Sequence, residues 1–240
     1  MPWRPELLAL VELAAPSSCA GCGVAGTRWC AACGRVLRGT LPRAWQPTPC
    51  PPGFPPTWTG PAYEGPVRAA VIAWKEQSRV ELTPVLGTVL RAVLAEALAG
   101  SAPHTASVLR QAPVALVPAP SAASSVRARG RRAVAELAVS ASRPDLVVDA
   151  LRLVRRVQDQ AGLSAQDRAA NLERAVTVRP GVRAALAGVP CVVVDDVVTT
   201  GATLAECARA LRAAGAGPVV AATVAATRRR PAWAPAQRAD

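Results

Sequence analysis

Residues 191–203 read CVVVDDVVTTGAT, and this stretch decides the fold. Its first four residues, Cys191 to Val194, are an apolar run of the length of a buried strand. Two adjacent carboxylates, Asp195 and Asp196, stand at its end. A loop of small hydroxyl residues and glycine follows, and then the amphipathic run TLAECARALRAAG (203–215), which stops at Gly215. A second apolar run, PVVAATVAA, covers 218–226. Strand, helix and strand in this order make a βαβ unit, so the chain is α/β with a sheet that is at least partly parallel.

The same residues carry chemistry. Open α/β sheets bind ligands at the carboxyl ends of their strands, where this strand delivers Asp195 and Asp196. Thr199, Thr200, Gly201, Ala202 and Thr203 lie at the start of the following helix. Free N–H groups, the helix dipole and three hydroxyls make a cradle for a phosphate there. Gly201 allows the backbone to come close to it. Carboxylates beside such a cradle accept hydrogen bonds from vicinal hydroxyls, which points to a phosphorylated sugar. A threonine-capped helix after an apolar strand accounts for the loop but not for two acids side by side.

Working outward, VALV (114–117) is a short apolar run that fits a buried strand, and 145–149 is a weaker candidate. Helices are predicted over 3–14, 67–77, 84–99 and 131–142. Residues 151–178 are polar and arginine-rich, with no clean core face. Residues 42–66 hold nine of the 23 prolines and read as an irregular linker or wrapping segment. The tail after Thr227 reads as disordered.

Cys19, Cys22, Cys30 and Cys33 form the spacing C-x2-C-x7-C-x2-C, with glycine after each pair. Two tight knuckles would present four thiolates, the tetrahedral set of a structural zinc with no open position for catalysis. Disulfides and an iron–sulfur cluster are the other chemistries four thiols support. Cys191 and Cys207 fall on a strand and a helix and read as core residues, and Cys50 reads as a free thiol.

Hydrophobic residues make up 51% of the 240 and mean hydropathy is +0.22, so a sizeable core is available. No uninterrupted apolar run is long enough to suggest a membrane span, and LLALVELAA (7–15) lacks the flanks of a signal peptide. The net charge of +12 and pI near 11.0 favour anionic partners, nucleic acid or phosphorylated small molecules. A GC-rich coding sequence supplies the same arginine excess. Among 28 basic residues Lys75 is the one lysine; a role for a compact ammonium explains it, and so does chance. Trp74 and Trp233 bracket a long stretch with no aromatic residue, which leaves no platform for stacking bases there. The one histidine, His104, reads as a loop residue, so histidine-dependent triads are excluded.

CVVVDDVVTTGAT closely resembles the phosphoribosyl pyrophosphate (PRPP) motif of type I phosphoribosyltransferases. The remainder resembles the competence protein F (ComF) family: the four-cysteine segment, YEGPVR (63–68), Trp74-Lys75, VPAPS (117–121), RARG (127–130) and the Gln160–Asn171 segment. The resemblance covers about residues 7–227. Two places depart from that family: Arg131-Arg132-Ala133 replaces Phe-Asn-Gln, and the pyrophosphate loop reads Pro-Ala-Pro-Ser with Ala122 in the place of a histidine.

The resemblance implies a type I phosphoribosyltransferase fold, a mostly parallel sheet flanked by helices, with a small N-terminal zinc-finger module. The implied division is 1–40 helix and zinc finger, 41–66 linker, 67–227 phosphoribosyltransferase-like domain and 228–240 tail. It implies catalytic Asp195 and Asp196 on the ribose, and Thr199, Thr200, Gly201, Ala202 and Thr203 on the 5-phosphate. Pyrophosphate with Mg²⁺ is expected near Ser121, Arg127 and Arg129, with Lys75 as a further phosphate contact. It also implies a cytoplasmic protein linked to DNA uptake. The alternative is a non-catalytic module that binds single-stranded DNA or a competence helicase or processing protein. In that reading Trp29, Trp45 and the arginines of 127–132 make the contact.

Overall fold

The computed structural model describes residues 17–101, 105, 112–154 and 174–228. The predicted helix over 3–14, His104, the Gln160–Asn171 segment and the tail beyond Arg228 lie outside the described residues. In chain order the elements are α1 (Ala31–Arg38), β1 (Arg43–Trp45), β2 (Thr57–Thr59), α2 (Gly65–Glu76), α3 (Thr83–Ala99) and β3 (Ala115–Pro118). They continue with α4 (Ala123–Arg129), α5 (Ala133–Ala141), β4 (Leu151–Leu153), β5 (Val176–Val178), β6 (Cys191–Val198), α6 (Ala202–Ala213) and β7 (Val219–Ala226).

Valine and alanine dominate β6 and β7, and both strands are buried on both faces, as parallel strands covered by helices require. The main sheet has the order β1-β2-β7-β6-β3, with β2, β7, β6 and β3 parallel and β1 antiparallel at the edge. Period-two alternation divides the core. Val192 and Val194 of β6 join Val220 and Val224 of β7 under α2, α3 and α5. Cys191 and Val193 face the other way, with Leu204, Cys207 and Leu211 of α6 and with Leu151, Val176 and Val178 of the β4–β5 hairpin. Each fully buried valine here contributes about 1.5–2 kcal/mol.

The α/β class and the parallel sheet flanked by helices agree with the sequence reading. Three local expectations do not hold. The proline-rich stretch 41–66 is not only a linker: β2 pairs with β7, Thr59 meets Thr223 through their hydroxyls at 3.0 Å, and β1 closes the edge. No proline falls within β1 or β2; the prolines lie in the segments that flank them, where no ladder N–H is needed. The strand predicted over 145–149 is a 3-10 turn at Pro144–Leu146 followed by a single bridge from Val147 to Leu116. Of residues 151–178 the structure describes 151–154 and 174–178, and these do have a core face, in Leu151, Val176 and Val178 of the antiparallel β4–β5 pair. The run Val80–Ala99 is, among the described residues, the one helix long and apolar enough to cross a membrane. Its Leu86, Leu90, Val93 and Ala97 repeat at helical spacing and are buried against the sheet and α5, so it serves as a core helix.

Candidate active site and metal centre

β3 and β6 are neighbours, and the chain leaves their carboxyl ends on opposite faces, after β3 towards α5 and after β6 into α6. Such a divergence opens a crevice at the strand ends. Here it is a cleft of about 340 Å³. Lys75, Asp195, Asp196, Thr199 and Thr203 form one side, Ser121, Ser124, Ser125 and Arg129 the other, and Leu153 and Val176 of the hairpin complete it.

The acid pair is split by the strand's own geometry, because consecutive side chains point to opposite faces. Asp196 shares the phase of Val194 and turns towards α2, where the Lys75 ammonium lies 2.7 Å from its Oδ2. Burial would raise this carboxyl, but the charge and hydrogen bond of Lys75 outweigh it and hold Asp196 below the ordinary carboxylate range. Asp195 takes the other phase, and its Oδ1 accepts the Asp196 N–H at 2.9 Å. Burial and the neighbouring Asp196 charge push Asp195 up, to about 8. Burial would lower Lys75; the two carboxylates reverse this and raise it. One acid is thus fixed in charge and the other is poised to change.

Of the residues picked from the sequence, Lys75, Ser121, Arg129, Asp195, Asp196, Thr199 and Thr203 line this cleft together. Lys75, expected at a phosphate, has Asp196 as its partner. Thr200 does not line the cleft; its Oγ1 accepts the Ala202 N–H at 3.5 Å, and Ala202 is a buried first residue of α6. Gly201 has φ +78°, and a Cβ there would meet the Phe54 ring at 2.6 Å and Pro47 at 3.0 Å. Its missing side chain therefore makes room for the proline-rich segment. Arg127 lines a second, adjoining cavity.

The comparison with known families falls on this part of the molecule. A family model for the phosphoribosyl transferase domain matches residues 115–236, half of the chain. The chain belongs to the phosphoribosyl transferase domain family. No curated protein matches it in a sequence comparison. The matched region begins at β3 and includes every strand of the cleft.

In this member the arginines of 127–132 do not form one solvated stripe. Arg131 lies with its Cζ 5.1 Å from the centre of the Trp74 ring and pairs with Glu136 at 3.2 Å. Arg132 grips Asp149 through both guanidinium Nη groups, and Arg129 reaches Glu76 at 3.4 Å. Neither tryptophan proposed for a nucleic-acid contact offers a free ring. Trp45 is 6% exposed, donates from Nε1 to the Thr227 carbonyl and packs edge-on to Phe54, while Trp29 is half-buried against the core.

A clamp escaped the sequence reading. Glu206 of α6 is buried; its Oε1 accepts the Val176 N–H at 3.1 Å, and Arg209 pairs with it and donates to the Val176 carbonyl at 2.9 Å. The two side chains fix β5, and with it the hairpin, over the cleft. The available signal was an acid at a core phase of α6, between Leu204 and Cys207.

The sulfur atoms of Cys19, Cys22, Cys30 and Cys33 lie within 4.8 Å of one another. Cys22 and Cys30 are 3.7 Å apart, close to the ~3.8 Å edge of a tetrahedron with Zn–S of ~2.3 Å. Cys19 Sγ accepts N–H groups from Gly21 and Cys30. Burial raises this thiol, but backbone N–H groups of Cys30, Cys22 and Gly21 outweigh it and hold it down, to about 6. The donor set fits a structural zinc. The second cysteine pair is not a glycine knuckle: Cys30 caps α1, accepting the Cys33 N–H, and Gly34 lies inside the helix.

Proposed function

We propose that this chain binds PRPP, or a closely related phosphorylated ribose, and transfers the phosphoribosyl group to an acceptor. The observation that carries the reading is the convergence of Asp195, Asp196, Thr199, Thr203, Ser121 and Arg129 on one cleft in a phosphoribosyl transferase domain. The 5-phosphate is assigned to the turn Thr199–Thr203 at the start of α6, where N–H groups and hydroxyls meet the helix dipole. The ribose hydroxyls are assigned to Asp195 and Asp196, and the pyrophosphate to Ser121 and Arg129, with Arg127 behind them.

Asp195, the carboxylate not held by Lys75, has the oxygen chemistry that Mg²⁺ takes together with substrate oxygens. Bound there, Mg²⁺ would supply charge neutralisation to the departing pyrophosphate. The chain's own part is electrostatic positioning of a sugar that becomes cationic at C1 as pyrophosphate leaves. Asp196, fixed as an anion by Lys75, orients the ribose and faces that developing charge, while Arg129 attracts the leaving group.

The cluster of Cys19, Cys22, Cys30 and Cys33 is assigned to one structural zinc, which metal analysis would show as one zinc per chain. The division at residues 40, 66 and 227, membership of the competence protein F family, its cytoplasmic location and its link to DNA uptake rest on the sequence resemblance.

Calorimetry with PRPP and Mg²⁺ tests the main reading. Asp195→Asn with Asp196→Asn keeps size and removes both carboxyl groups, so neither can be ionised in the complex. Losing charged hydrogen bonds worth roughly 1.5–3 kcal/mol each should weaken PRPP at least tenfold. Wild-type affinity in the double variant would move the site elsewhere.

A further inference from the structure

The second cavity, about 580 Å³, adjoins the first across a shared rim of Pro120, Ser121, Ala122, Ser124 and Leu153. Among the described residues its charged lining is four arginines: Arg127 from α4, Arg132 before α5, Arg152 from β4 and Arg179 after β5. Four separate stretches of backbone therefore send arginines to one hollow. Asp149 pairs with Arg132 and, at 3.3 Å, with Arg179, which ties two of the four to each other. The Arg179 Nε is buried and has no acceptor among the described residues. Among the described residues no acid is paired with Arg127 or Arg152.

Four arginines around one hollow are costly to assemble unless an anion enters, because like charges repel and, among the described residues, Asp149 is the one carboxylate paired with any of them. Guanidinium forks match planar oxyanions, which they bind in pairs of parallel hydrogen bonds. At about 340 Å³ the first cleft lies near the lower end of ligand sites and has room for one phosphorylated sugar. The adjoining cavity offers a second reactant a seat across the shared rim.

We propose that the arginine-lined cavity holds the acceptor, and that the acceptor is an acid: a small nitrogen nucleophile bearing a carboxylate or phosphate. This rests on the phosphoribosyl reading of the first cleft. The oxyanion is held by Arg152 and Arg179 beneath the hairpin, and the nitrogen points over the Ser121–Ser124 rim towards C1. The nitrogen lone pair forms the bond to C1 while the C1–O bond electrons leave with pyrophosphate, and the nitrogen's proton, where it carries one, passes to water.

Matched pairs test this on the intact chain. Nicotinate against nicotinamide, and orotate against uracil, differ chiefly in the carboxylate. Calorimetry with PRPP and Mg²⁺ present should show at least one acid binding tenfold or more tighter than its neutral partner. Arg152→Ala with Arg179→Ala should erase the difference while PRPP affinity and the melting temperature stay close to wild type. Equal affinity within both pairs, or no binding of any acid with PRPP bound, overturns the proposal. So does expulsion of the acid by pyrophosphate, which would make the cavity the leaving group's seat. An acid that binds through these arginines to a protein that does not bind PRPP refutes the phosphoribosyl reading, and the acceptor role with it, but leaves an anion site. The wild-type comparison decides the matter even if the arginine variant fails to fold.

Discussion

The side of the cleft that carries Asp195 and Asp196 and the cavity wall that carries Arg127, Arg132, Arg152 and Arg179 meet at the Ser121–Ser124 rim. The acid side is one strand end, with Asp196 buried, Asp195 half-buried and a single lysine from a core helix behind them. The arginine wall comes from four places, and Arg132 and Arg179 are each about four-tenths exposed. A buried charge feels its neighbours strongly and must be paired; an exposed one is screened and pairs loosely. The acid side should therefore respond sharply to single substitutions and to pH, and the arginine wall only gently.

The largest effect expected is on pH dependence. Asp195 is raised to about 8, so it holds a proton in the unliganded protein at lower pH. Binding of Mg²⁺ and PRPP that needs this carboxylate ionised releases that proton. Affinity should then rise by up to about tenfold per pH unit until pH approaches 8. Asp195→Asn should remove about one proton from the slope, whatever the phosphates of PRPP contribute. The sign for stability is opposite. A raised carboxyl costs folding stability from the unfolded value near 4 upwards, so Asp195→Asn should melt higher than wild type at pH 8 without ligand. Identical slopes in the two proteins would place the titrating group elsewhere.

Next in size is the loss of Lys75. Asp196 is 5% exposed on its side chain and Lys75 31%, so Lys75→Met leaves a buried carboxylate alone. Removing one partner of a fully buried pair costs about 3–5 kcal/mol; the partial exposure of Lys75 brings the expectation to about 2 kcal/mol. The lowered Asp196 carboxyl contributes stability that is present above its unfolded value near 4 and is lost as pH falls through the folded one. The melting difference between wild type and Lys75→Met should accordingly shrink in acid. Adding Asp196→Asn to Lys75→Met should recover part of the loss; strict additivity would show that the two groups do not interact.

This contrast also explains what was legible from the chain. The strand, the acids and the phosphate turn lie in thirteen consecutive residues, so local pattern and chemistry coincide in 191–203. Lys75 stood out only as a rare lysine; its partner followed from the sheet, which puts Asp196 on the α2 face. The four cysteines were readable because ligand spacing is local. The arginine cavity was not, because Arg127, Arg152 and Arg179 meet only when the β4–β5 hairpin folds over β3. In an arginine-rich chain none of the three stands out by type. The strands in 41–66 were hidden because each is three residues long and flanked by prolines.

The Glu206–Arg209 clamp bridges the two regimes, since it fixes the hairpin that carries Arg152 from a helix that starts at the phosphate turn. Glu206→Gln keeps an acceptor for the Val176 N–H but drops the charge. It should cost about 1 kcal/mol and speed hydrogen exchange at Val176, with a smaller change at Val193 in the sheet. Equal acceleration at both amides would mean global loosening and no local clamp.

The smallest effect on stability is expected at Asp149, which belongs wholly to the gentle wall. The Arg132 guanidinium beside it, more than its burial, holds its carboxyl below the usual range. Its side chain is 39% exposed and the two arginines it touches are 43% and 41% exposed. Screening at that exposure limits Asp149→Asn to less than about 1 kcal/mol. Its effect on binding should have the opposite sign. The substitution removes the one carboxylate that competes for Arg132 and Arg179, so an anion entering the cavity meets a stronger field. Nicotinate should bind about threefold tighter to Asp149→Asn than to wild type, and the gain should vanish in high salt, which screens exposed charges. A loss of affinity would mean that Asp149 matters more for aiming the two guanidiniums than for competing with the ligand. The arginine wall would then be as tightly organised as the acid side, and the contrast between them would fail.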